Sequence, residues 1–200
     1  MRQMRDRLRG MAWVACVLMV VGEVQAQPTP NVVVVIETPH GQIEVEVDVS
    51  RAPRTSANFL RYVDDGFYDG GQFHRTVTMD NQPDNDVTIE VIQASVNAVR
   101  DDDQFPAIEL ERTTVTGLVH VDGVISMARG SADTARSSFF FCIGDQPSLD
   151  FGGARNPDGQ GFAAFGRVTA GMDVVRAIQA QPRDAQRLDP PVRITRIARR

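Results

Sequence analysis

The stretch Tyr68–Arg75, which reads YDGGQFHR, marks the point where the sequence changes from a helical pattern to a strand pattern. Before it, Pro53 to Tyr62 carries apolar residues at helical spacing, and Gly66 predicts the end of that helix. After it, the chain runs in short apolar segments separated by Gly, Asn and Asp, which is typical of strands joined by turns. The stretch therefore separates one early helix from a domain built mainly of strands.

Other segments extend this pattern on both sides of the stretch. A β-branched run from Asn31 to Ile36, a turn at 39–41 and an alternating run from Ile43 to Val47 predict a hairpin with one solvated face. A second helix is predicted from about Met172 to Ala180. Further strands are predicted within Val87–Gln93, Leu118–Ala128, Ser137–Ile143, Phe162–Val168 and Val192–Ile197. Strands throughout, with one helix early and one late, predict a mainly β fold in which an antiparallel barrel is plugged at its ends.

The composition excludes several classes of function. The chain has 200 residues, 42% of them hydrophobic, which is enough for one globular domain with a substantial core. All 21 basic residues are Arg, so Schiff-base chemistry and a phosphate-binding loop lysine are excluded. The formal net charge of −5 argues against nucleic acid or an anionic membrane as a partner.

The first 26 residues have the features of a signal peptide. Four Arg residues precede an apolar run from Met11 to Val21, and cleavage is predicted after Ala26. Residues 27–31 then form a linker, and residues 32–200 form the folded domain. We expect export to the periplasm, with no membrane association once the signal is removed. The alternatives are retention of the apolar run as a membrane anchor and a lipid anchor on Cys16, whose preceding residues suit that modification poorly.

The usual signatures of catalytic and metal sites are missing from the sequence. It has two Cys residues, and cleavage leaves only Cys142, whose aromatic neighbours predict a buried strand thiol rather than a nucleophile. His40, His74 and His120 lie in three separate segments without the paired spacing of a metal site. The acidic run 80–86 lacks the central Gly and terminal Glu of a calcium loop, so it is interpreted as a solvated turn. We expect neither a metal nor another cofactor.

Several motifs, in order along the chain, resemble one family. Tyr68–Arg75 matches the Tyr-x-Gly-x-x-Phe-His-Arg segment of the cyclophilins at each defined position. The other segments that resemble cyclophilin motifs are Ala52–Phe59 (APRTSANF), Gly123–Ala128 (GVISMA), Ser137–Phe141 (SSFFF), Leu149-Asp150, Phe165–Val168 (FGRV) and Gly171–Val175 (GMDVV). The resemblance extends from about Val33 to Ile197, nearly the whole of the predicted domain.

This resemblance implies a fold and an activity. The fold would be a closed, eight-stranded antiparallel barrel capped by two helices, and the protein would be a peptidyl-prolyl cis–trans isomerase (rotamase). Such an enzyme rotates the peptide bond before proline, against a barrier of about 18–20 kcal/mol that arises from amide resonance. In the twisted amide the prolyl nitrogen regains its lone pair, so a fixed cationic donor stabilises the transition state more than either ground state.

The resemblance also implies the roles of individual residues. Arg75 would be the central catalytic donor, Gln93 would hydrogen-bond the carbonyl side of the substrate, and Phe140 would form the floor of the proline pocket. The other substrate-binding residues would be Phe73, His74, Val91, Met127, Ala128, Arg129, Ser138, Leu149 and Phe162. The alternative for Arg75 is a surface salt bridge, and the alternative for Phe140 and Leu149, taken alone, is plain core packing.

Two departures from the family pattern bear on the activity. Residues Thr78–Val87 lengthen the link between Arg75 and Gln93, and we expect an extra hairpin beside the site. Ala94 and Ser95 replace a usual Gly-Gly pair, a change that would cost on the order of 1 kcal/mol if positive φ is required there.

The sequence thus favours an isomerase that assists folding of proline-containing, exported polypeptides, and we expect it to be monomeric. The alternative is a catalytically weak, cyclophilin-like module that binds proline-containing peptides as a chaperone.

Overall fold

The computed structural model of the chain describes residues 31–200. The predicted signal peptide, 1–26, and residues 27–30 of the predicted linker lie outside the described residues. Ten strands are present: β1 (Val32–Thr38), β2 (Gly41–Val47), β3 (Gln72–Val77), β4 (Val91–Ser95), β5 (Val124–Met127), β6 (Phe139–Cys142), β7 (Ala163–Ala170), β8 (Arg183–Asp184), β9 (Arg187–Arg193) and β10 (Arg196–Arg199). The helices are α1 (Pro53–Asp64), α2 (Thr113–Thr116) and α3 (Met172–Gln179), with 3₁₀ turns at Ala98–Asp103 and Pro147–Leu149.

The strands form one antiparallel sheet in the order β10-β1-β2-β7-β5-β6-β4-β3-β9-β8. The predicted mainly β, antiparallel class is confirmed, but the closed eight-stranded barrel is corrected to an open sheet of ten strands. The reason lies in the predicted last strand, Val192–Ile197, which is divided into two. Its first half continues β9, paired with β3, and its second half begins β10, paired with β1. The short β8 adds a further edge beside β9.

The two predicted helices are confirmed within two residues of their expected ends, and α2 is a single additional turn. Helix α1 begins with Pro53, whose missing N–H is not needed in a first turn. Its next two free N–H groups, those of Arg54 and Thr55, donate to the Glu111 carboxylate at 3.1 and 2.7 Å. A carboxylate at the helix N-terminus also complements the helix dipole. None of the helices among residues 31–200 has the length and apolar character of a membrane span.

Alternation along the strands gives the sheet two different faces. On one face Phe73, Ile92 and Phe139 join the main core together with side chains of α1 and α3. We call this the core face. On the opposite face Val91 and Phe140 belong to a second, smaller cluster with residues such as Cys142 and Leu149. We call this the site face, because the cavity described next lies on it.

Candidate active site

A cavity of about 330 Å³ opens on the site face. Its lining includes eight of the twelve residues predicted from the sequence: Arg75, Val91, Gln93, Ala128, Arg129, Phe140, Leu149 and Phe162. Four residues that sequence reasoning did not single out complete it: Asn85, Ile89, Arg155 and Asn156. The cavity therefore combines an apolar floor with a rim of amide and guanidinium groups and no carboxylate.

The other four predicted residues lie elsewhere. Phe73 and Met127 are on the core face, at most 1% exposed, because alternation turns them away from the cavity. Ser138 lines an adjoining groove that shares Gln93, Ala128 and Arg129 with the cavity. His74 faces a separate depression formed with residues of β9.

A β-bulge at His74 determines where Arg75 points. Phe73 pairs with Ala94 and Arg75 pairs with Gln93, so His74 is an extra residue with no partner of its own. Pairing with β9 is also irregular at this point, since Phe73 pairs with Val192 and Arg75 with Arg187. Without the bulge, the Arg75 side chain would lie on the core face of the sheet, together with Phe73. The bulge instead places the guanidinium on the site face beside Gln93, which is a known use of bulges near active sites.

Three hydrogen bonds fix the Arg75 guanidinium. Its Nη1 donates to Gln93 Oε1 at 2.9 Å, and its Nε and Nη2 donate to Gln186 Oε1 at 3.0 and 2.6 Å. Within residues 31–200 no carboxylate lies within ion-pairing distance of Arg75, so the salt-bridge interpretation is not supported. Burial lowers the pKa of Arg75 from its usual value, and the charge of Arg155 lowers it further. An arginine titrates so far above neutral pH that it stays protonated here.

Gln186 was missed by sequence reasoning, because it lies 111 residues from Arg75 in the turn between β8 and β9. Its own amide donates to the Asn81 carbonyl at 3.0 Å, so both ends of the side chain are fixed. The preceding residue, Ala185, has φ of +50°, a conformation that is unfavourable for a residue with a Cβ. The tight turn between β8 and β9 thus presents Gln186 to Arg75 at a cost in backbone strain.

The insert Thr78–Val87 flanks the cavity, as expected, but it contains no strand of its own and so is not an extra hairpin. It is a long loop joining β3 to β4. Gln82, 4% exposed, secures it from within: its amide donates to the carbonyls of Thr78 and Ile89, both at 2.8 Å, and its oxygen accepts from Ile89 N–H at 3.2 Å. The Asp80–Arg183 ion pair adds a link to β8.

The floor of the cavity is held from beneath by a polar network. Phe140 stacks on the His120 ring, with centroids 6.1 Å apart, and meets Phe162 edge-on at 5.4 Å. His120 Nδ1 lies 2.7 Å from Asp150 Oδ1, and its Nε2 lies 2.9 Å from Ser126 Oγ. The order Asp–His–Ser matches that of hydrolase triads. Ser126 is 0% exposed, however, so its hydroxyl cannot reach a substrate, and the network serves to position Phe140.

Neither the thiol nor the histidines form a second catalytic centre. Cys142 is fully buried below the floor, as predicted, and burial raises the pKa of its thiol far above the usual value. Among residues 31–200 there is no group of three or more His, Cys, Asp and Glu side chains suited to holding a metal ion.

The strain expected at Ala94 and Ser95 does not arise. Both residues belong to β4, and the only non-glycine residues of positive φ in the described part of the chain are Asp133 and Ala185. Ala94 is 0% exposed and packs in the core face.

The chain is similar in sequence to known proteins. The family model "Cyclophilin type peptidyl-prolyl cis-trans isomerase/CLD" matches residues 33–199. The chain is 33% identical over 145 residues to the peptidyl-prolyl cis-trans isomerase cyp18 of Streptomyces antibioticus, covering 72% of this chain and 81% of the relative. It is 34% identical over 151 residues to peptidyl-prolyl cis-trans isomerase A of Dickeya dadantii, covering 75% and 72%.

The fold has counterparts among solved structures. A cyclophilin type peptidyl-prolyl cis-trans isomerase of Cryptosporidium parvum superposes with a TM-score of 0.68 at 19% identity, covering 85% of this chain and 98% of its own. The same protein has been crystallised in the presence of the dipeptide Ala-Pro, and that structure gives a TM-score of 0.66 at 20% identity, covering 83% and 97%.

Proposed function

Because the chain belongs to the cyclophilin family and is a peptidyl-prolyl cis–trans isomerase, we propose that Arg75 is its catalytic donor, acting on the prolyl nitrogen of the twisted amide. The observation that carries this proposal is a guanidinium that two glutamines hold in place, with no carboxylate partner among residues 31–200, at the edge of a cavity with an apolar floor. A guanidinium has five N–H donors. Three are used by Gln93 and Gln186, which leaves one on Nη1 and one on Nη2 for the substrate.

The transition state gains more from this donor than the ground states do. Amide resonance in either planar isomer leaves the prolyl nitrogen a poor acceptor, and rotation restores its lone pair. A donor held in place before the reaction needs no reorganisation, and a half-buried site strengthens its effect. Rotation requires no proton transfer and forms no covalent intermediate.

The other lining residues have distinct tasks in this proposal. Phe140, Leu149 and Val91 enclose the apolar proline ring. The side-chain oxygen of Gln93 accepts a hydrogen bond from Arg75. Its amide N–H₂ group can therefore donate to a substrate carbonyl. The backbone at Ala128 and Arg129 pairs with the residue before proline, and the adjoining groove with Ser138 receives the residues further upstream.

An isomerase assay on the purified protein tests the role of Arg75. We expect Arg75→Ala to lower kcat/KM by about 10²–10³, the cost of removing one donor to a developing charge. The matched control is Arg196→Ala, an exposed arginine of β10, which should keep the parent rate. A parent that binds proline peptides but does not accelerate their isomerisation would support the binding module instead, and a fully active Arg75→Ala variant would contradict the mechanism.

We further propose that the protein is exported, loses residues 1–26 and acts as a monomer on proline-containing segments of folding exported proteins. The charged start, apolar run and Ala26 of the sequence support export. Slow X–Pro steps last tens of seconds at 25 °C, so such clients benefit from a catalyst. Intact mass and sedimentation of the periplasmic fraction test this: mature protein beginning at Gln27, at monomer mass, is expected, and full-length protein in the membrane fraction would contradict it.

A further inference from the structure

Three arginines line the catalytic cavity, and they differ in how their charge is balanced. Arg129 is 1% exposed and pairs with Asp158 at 2.7 Å. Arg75 and Arg155 have no carboxylate within 4.0 Å in the described part of the chain. Since the cavity lining contains no Asp or Glu, it carries two unbalanced positive charges in a protein of net charge −5.

Arg155 is held by one end only. Its Nη1 donates to the Val87 carbonyl at 2.6 Å and to Gln82 Oε1 at 2.9 Å, both in or beside the insert. No partner within residues 31–200 accepts from its Nε or Nη2. These two N–H groups form the edge of a guanidinium that binds a carboxylate with two parallel hydrogen bonds. The insert therefore fixes the orientation of Arg155 and leaves its carboxylate-binding edge unused.

Electrostatics make a carboxylate a favourable occupant of this part of the cavity. Arg155 is half-buried, so its charge is partly removed from water, and this desolvation lowers its pKa. Arg75 and Arg155 also repel each other through a medium less polar than bulk water. A carboxylate placed at Arg155 would offset the desolvation and reduce this repulsion.

We propose that Arg155 is a specificity residue that selects proline-containing segments with an acidic side chain immediately after the proline. This rests on the proposed function, in which the residues before proline occupy Ala128, Arg129 and the adjoining groove. Arg155 lines the central cavity but not that groove, so a chain bound in this direction brings the residue after proline, not those before it, towards Arg155. The preferred substrates are thus acidic polypeptides that contain Pro-Glu or Pro-Asp.

Exchange NMR on two blocked peptides, Ala-Ala-Pro-Glu-Phe and Ala-Ala-Pro-Gln-Phe, tests the proposal, because the peptides differ only in one charge. Each rate is normalised to its uncatalysed value. At low salt we expect kcat/KM of the parent to be about 3- to 10-fold higher for the Glu peptide, because charge-assisted hydrogen bonds are about twice as strong as neutral ones. The ratio should fall towards one at about 1 M salt, where the Debye length is about 3 Å.

Variants at Arg155 separate recognition from structure. Arg155→Gln should bring the ratio close to one, Arg155→Lys should keep part of it, and Arg196→Gln, which removes an exposed charge on β10, should keep all of it. Equal loss on both peptides in Arg155→Gln would mean that Arg155 only secures the insert, and would overturn the proposal. If that variant fails to fold, the ratio of the parent and its salt dependence decide.

Two further outcomes in the parent are decisive. Equal rates on the Glu and Gln peptides at low salt would overturn the proposal, as would a preference found only when Glu precedes the proline. Failure to accelerate either peptide is a different failure, that of the proposed isomerase function itself.

Discussion

The apolar floor of the cavity and its polar rim are built by different means. The floor consists of Val91 and Phe140, which strand alternation and register place there, and of Leu149 at the end of a 3₁₀ turn. It continues into the buried cluster around Cys142. The rim, which consists of Arg75, Gln93 and Gln186, depends on a bulge and on hydrogen bonds between side chains from distant segments. The floor should therefore contribute mainly to stability and the rim mainly to catalysis.

Truncating the floor should give the largest effect on stability. Phe140 is 4% exposed and contacts both the His120 and Phe162 rings. We expect Phe140→Ala to lower the free energy of unfolding by about 3–5 kcal/mol, since it removes buried apolar area and leaves a cavity. Chemical denaturation measures this loss, and isomerase activity should fall as well because the proline ring loses its floor.

A matched aromatic control lies in the neighbouring loop. Phe151 is 43% exposed, and Phe151→Ala should change the free energy of unfolding by no more than about 0.5 kcal/mol. Equal losses in the two variants would contradict the distinction between a structural floor and its surroundings.

Disrupting the rim should lower activity more than stability. Gln186→Ala removes the acceptor of two Arg75 hydrogen bonds, and we expect kcat/KM to fall about tenfold, equivalent to about 1.4 kcal/mol. The loss should appear chiefly in kcat, because Gln186 does not line the cavity and acts only through Arg75. Stability should change less than in Phe140→Ala, since Gln186 is only half-buried.

A double-mutant cycle shows whether Gln186 works through Arg75. In an Arg75→Ala background, adding Gln186→Ala should cost nothing more. Additive losses would mean that Gln186 influences activity by another route. Gln42→Ala, at an exposed position of β2, serves as the single-variant control and should keep the parent rate.

The same contrast explains what could be predicted from the sequence. The hairpin β1–β2 and helices α1 and α3 were predicted correctly because apolar periodicity determines them locally. The floor residues were inferred from the family resemblance, and the structure places all three in the cavity lining. Sheet closure was wrong because the interruption at Ile194 and Thr195 leaves an alternating apolar pattern unchanged. Met127 was assigned to the cavity although alternation places it on the core face.

The rim was predictable only in part. The motif containing Arg75 indicates the proposed donor, but nothing near it in the sequence indicates its hydrogen-bond acceptor Gln186. Arg155 was likewise missed, because it belongs to a Gly-rich loop whose course is not set by periodicity. Contacts between loops depend on the completed tertiary fold, so short-range patterns carry little information about them.

His74 connects the rim to the core face, and its titration should give the smallest effect. It is the bulged residue between core-facing Phe73 and Arg75, and its Nδ1 is buried without a hydrogen-bond partner. Desolvation lowers the pKa of His74 below its usual value of 6.5, and the charge of Arg75 lowers it further. The unfolded chain therefore takes up this proton first as the pH falls. The stability that neutral His74 contributes is complete above pH 6.5 and declines below it, until the folded state also becomes protonated.

Thermal unfolding at pH values from about 7.5 to about 5 should show a smaller fall in Tm for His74→Gln than for the parent. His40→Gln, in the exposed turn between β1 and β2, should show the same fall in Tm with pH as the parent. An equal fall in Tm with pH in His74→Gln and the parent would show that the bulge tolerates a protonated His74. The rim would then be less tightly coupled to the core than its geometry implies.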